Sequence, residues 1–109
     1  FLRHGWLDSA AYEQVAGLLR LWEQTGDLER RLKQIEQKRQ QIYQGQQQIQ
    51  GNMAALSTTG KEGTLRAQYV EQLRASEEQL RALTSEEAEV DAEIERLKGE
   101  IEARIKDLE

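Results

Sequence analysis

Residues 52–70 read NMAALSTTGKEGTLRAQYV, and they interrupt an otherwise nearly unbroken series of helix-forming residues. Gly60 and Gly63 supply the permissive backbone of a loop. Thr59 and Glu62 stand at the Thr-x-x-Glu spacing of a capping box, in which each side chain satisfies a backbone N–H at the start of a helix. The segment TGKEGT superficially resembles a phosphate-binding loop, but the glycine-to-lysine spacing of such a loop is absent and no strand pattern precedes it. A turn over 57–63 is therefore expected, where one long helix reverses into a second.

The flanks agree with that expectation. On the N-terminal side Leu28, Leu32, Ile35, Ile42, Ile49, Met53 and Leu56 recur at helical spacing. With Leu32 at heptad position a, Met53 is also a, and Leu28, Ile35, Ile42, Ile49 and Leu56 are d; Arg39 and Gln46 are polar intruders at a. On the C-terminal side Leu73, Leu80, Ile94, Ile101 and Leu108 take a, with Glu87 the exception. Tyr69, Leu83, Val90 and Leu97 take d, with Ser76 and Arg104 the exceptions. Sustained a/d repeats of this kind predict a coiled coil.

Folding the chain near Lys61, so that facing residue numbers add to about 122, sets every a opposite a d. Met53 then meets Tyr69, Ile49 meets Leu73, Ile42 meets Leu80, and Leu28 meets Ile94. The same offset puts Gln46 level with Ser76 and Arg39 one layer from Glu87, so polar seam residues can pair and fix the register. Arg31 falls near Glu93 and Lys38 near Glu86, whereas Glu29 near Asp91 is unfavourable. The predicted fold is all-α: a long antiparallel two-helix coiled-coil hairpin. Helix one is expected over 7–56 and helix two over 64–109, with 1–6 an irregular extension.

Composition supports this architecture. The 109 residues include no Pro and no Cys, and 32% are charged. The missing proline removes the strongest helix breaker, and the missing cysteine excludes disulfides and thiolate metal sites. No apolar run is long enough to span a membrane. The first residue is Phe1, which suggests a piece of a longer chain. Residues 1–56 hold seven Lys/Arg and six Asp/Glu, a net +1; residues 57–109 hold eight and fourteen, a net −6. So acidic a second half disfavours nucleic acid and anionic membranes as partners.

The beginning of helix one departs from the narrow seam. Asp8 or Ser9 is the expected N-cap, with Leu7 and Tyr12 at staple positions if Asp8 caps. Val15, Leu18, Leu19, Leu21 and Trp22 form a wider apolar arc, extended by Trp6 and Phe1. Two uses are open: contact with another chain or a further domain, or packing on the end of helix two near Ile101, Ile105 and Leu108. Gly26-Asp27 is the expected place of a kink or short break, so residues 7–25 either continue helix one or form a separate short helix.

Chemistry is sparse. His4 is the single histidine and has no neighbouring ligand pattern. The eight carboxylates from Glu86 to Glu102 lack the Asp/Gly loop of a calcium site and read as a solvated helix face. The Gln-rich run EQKRQQIYQGQQQIQ, residues 36–50, keeps Ile42 and Ile49 at seam spacing and reads as a soluble helix. No nucleophile–base arrangement is present. No enzyme activity, cofactor, metal or small-molecule substrate is expected.

Two segments carry a family likeness: IYQGQQQIQGNMAAL at 42–56 and LRAQYVEQLRASEEQLRAL at 65–83. The order Gln-x-x-Ile-x-x-Asn-Met-x-x-Leu, a short loop, then Tyr-Val-x-x-Leu and Glu-x-x-Leu resembles the C-terminal helical hairpin of bacterial mucoidy-inhibitor-like proteins of unknown function. Gly51 and Ser76 depart from that pattern. The resemblance implies a bacterial source and a β-rich domain upstream, and it transfers no site residues; the compartment stays open between bacterial cytoplasm and periplasm. The expected function is a non-enzymatic spacer or docking module, with homodimerisation through the N-terminal arc as one form. The alternative is a nucleic-acid- or polymerase-engaging hairpin acting through its tip; a third reading is one subunit of a larger helical bundle, with the acidic second helix facing a basic partner.

Overall fold

The computed structural model describes the backbone of residues 2–56 and 60–108, with side chains from residue 9 onward. Two helices account for nearly all of it: α1, Leu2–Ala54, and α2, Gly60–Leu108. They form an antiparallel helical hairpin. Their packing divides into two units: Phe1–Leu32 with Glu89–Glu109, and Lys33–Ala88.

In the first unit, Leu18, Leu21, Leu97 and Ile101 form a buried cluster with Leu28 packed against it. Val90 and Ile94 are buried as well. Gly17 is also buried, and a Cβ there would stand 2.7 Å from Arg104 Nη1, so the guanidinium of α2 lies against bare backbone of α1. In the second unit, Arg39 Nη1 donates to Glu87 Oε2 at 3.1 Å and Gln46 Nε2 to Glu77 Oε1 at 3.1 Å. Each of these pairs lies within a few residues of the register deduced from the repeat. Every a and d position from Leu28 to Leu56 and from Tyr69 to Ile101 is buried or half-buried, as helices meeting along one stripe require.

Several expectations need correction. Residues 2–6 are helical, not irregular: α1 begins at Leu2, because nothing in LRHGW breaks a helix and one interior glycine costs only about 1 kcal/mol. Asp8 and Ser9 therefore lie inside α1 and are not its N-cap. No break occurs at Gly26-Asp27, where α1 is continuous. The reason is the side chain at position 25. Thr25 occupies an a position and is buried, its Oγ1 donating to the Leu21 carbonyl at 2.9 Å. A polar residue there conceals a repeat that runs on through Leu21 and Leu18 with its phase unchanged. Ser76 does not bond to Gln46; its Oγ turns back to the Gln72 carbonyl at 2.9 Å, and the longer Glu77 takes the glutamine instead.

The helix ends fall earlier than the expected turn at 57–63: α1 stops at Ala54, not residue 56, and α2 already begins at Gly60, not residue 64. α1 ends with i to i+3 bonds, Ala55 N to Asn52 O and Leu56 N to Met53 O, which narrow its last turn. Arg66 of α2 donates to the Met53 carbonyl at 2.8 Å, supplying a cation to a helix end whose own last turn has none. Gly60, with φ of +65°, opens α2 in a conformation that disfavours any Cβ. Gly60–Gly63 thus belong to the first turn of α2, where Glu62 suits the positive end of the helix dipole. The Thr59 half of the expected capping box, the Leu7–Tyr12 staple, His4 and the side chains of Phe1 and Trp6 lie outside the described residues.

Candidate interaction surface

The a/d stripe explains why the hairpin closes, and it leaves one face of α1 uncovered. An α-helix returns to the same face after three or four residues, so Tyr12, Val15, Leu19 and Trp22 share a second stripe beside the seam. All four are exposed, Tyr12 at 74% and Trp22 at 51%. Ile105 and Leu108, near the end of α2, are also exposed within the same unit. Other exposed apolar residues, Tyr43, Leu65 and Val70, do not repeat at this spacing and are ordinary surface residues.

The arc read from the sequence therefore divides. Leu18 is 5% exposed and Leu21 is buried beside Leu97 and Ile101. Both are consumed by the hairpin's own core and are not available to a partner. Val15, Leu19 and Trp22 remain on the surface. Tyr12 extends the stripe. Tyr12 was legible, since it precedes Val15 by three residues.

A shallow groove runs along the stripe, lined by Leu19, Trp22, Gly26 and Arg30 with the carboxylates of Glu23 and Asp27. Gly26 leaves it open, with nothing but an arginine tip within reach of a missing Cβ. Arg30 is held by Asp27 along the helix. Across the same unit Arg96 pairs with Glu93 and with Glu100 at 3.4 Å. Its hydrogen bond holds the Glu93 carboxyl below the ordinary range. These are exposed i,i+3 and i,i+4 pairs, worth little to stability, and they mark a solvated face.

Among the described residues no three His, Cys, Asp or Glu side chains cluster as metal ligands would, and no helix is long and apolar enough to cross a membrane. Arg39 in the second unit is well covered, 15% exposed, and its bonds to Glu87 and then Glu36 raise its pKa further. It is a seam ion pair that completes a helix contact. Comparison with protein-family models, with curated proteins and with solved structures finds no match for the chain.

Proposed function

We propose that the chain is a non-enzymatic coiled-coil module, a spacer or docking appendage of a larger bacterial protein, that engages a protein partner or itself through its exposed N-terminal stripe. The observation that carries this reading is the exposure of Tyr12, Val15, Leu19 and Trp22 at helix-docking spacing on a helix whose own seam is already filled. Contiguous apolar surface of this kind on an otherwise charged helix pair is characteristic of interaction sites. The likeness of residues 42–83 to the mucoidy-inhibitor-like hairpins supports the appendage role.

The tip-directed alternative has weaker support. At the described part of the turn Lys61 is followed at once by Glu62, which offsets the positive charge that phosphate binding needs. The test is sedimentation velocity on the parent and on a Leu19→Glu/Trp22→Glu variant. Both positions are on the surface, so helicity by circular dichroism should be retained while association is lost. Association that is the same in both proteins would remove the reading.

A further inference from the structure

We draw no further inference here: the strongest candidate, the exposed apolar stripe of Tyr12, Val15, Leu19 and Trp22 along α1, is an unpartnered helix face, and nothing in the structure shows what covers it.

Discussion

The two packing units use the same heptad grammar with different words. Among the described residues of Phe1–Leu32 with Glu89–Glu109, the seam is apolar apart from Gln14 and Arg104 near its end and Thr25, whose hydroxyl is satisfied inside its own helix. In Lys33–Ala88 only Ile35 and Leu83 are buried hydrophobics, and Arg39, Gln46, Ser76 and Glu87 interrupt the stripe. Burial of apolar area supplies most of the stabilisation of a helix pair, so the first unit should hold the hairpin together. Polar seam groups stabilise little but penalise slipped pairings, so the second unit should set the register. Stability and specificity are separated along one chain.

The largest expected effect tests that division directly. Leu97→Ala removes a side chain that is 2% exposed and should cost about 2–4 kcal/mol by thermal or denaturant unfolding. Leu80→Ala, at a half-buried seam position of the second unit, should cost roughly half as much. Equal losses would break the comparison. Next in size is the Arg39–Glu87 pair. Arg39→Met alone should lower the melting temperature by leaving Glu87 against an apolar neighbour, and Arg39→Met/Glu87→Leu should exceed the parent. That double variant should also tolerate slipped pairings, visible as broadened or doubled amide resonances in the second unit.

Glycines offer a smaller and opposite effect. Gly45→Ala meets nothing within 4 Å and should stabilise α1 by about 0.5–1 kcal/mol. Gly17→Ala should gain less, because the Arg104 guanidinium must move aside. The smallest effect is with acid. Hydrogen bonds from Arg74 lower the Glu71 carboxyl below its ordinary value of 4.5, and Arg96 does the same for Glu93. A folded-state value below the unfolded one means the contribution is present above pH 4.5 and is lost as pH falls through the folded value. Side-chain NMR titration should give midpoints below 4.5 for both, and Glu71→Gln should remove its share of the slight acid destabilisation.

What the sequence determined by itself was the reversal and its register. Proline is absent, two long heptad runs flank a glycine pair, and one numerical offset places every a against a d; pairing Arg39 with Glu87 followed from that offset. These features are periodic and local, so they survive in one dimension. Only the tertiary structure decided that the repeat passes unbroken through Thr25, because a polar side chain at a seam position looks like a change of phase until its hydroxyl is seen bonded to Leu21. Only the structure separated Leu18 and Leu21 from Leu19 and Trp22, since burial depends on where the second helix lies. Arg66 capping the end of α1 was likewise hidden: a helix terminus can borrow its cation from a residue that is near only after the chain has turned.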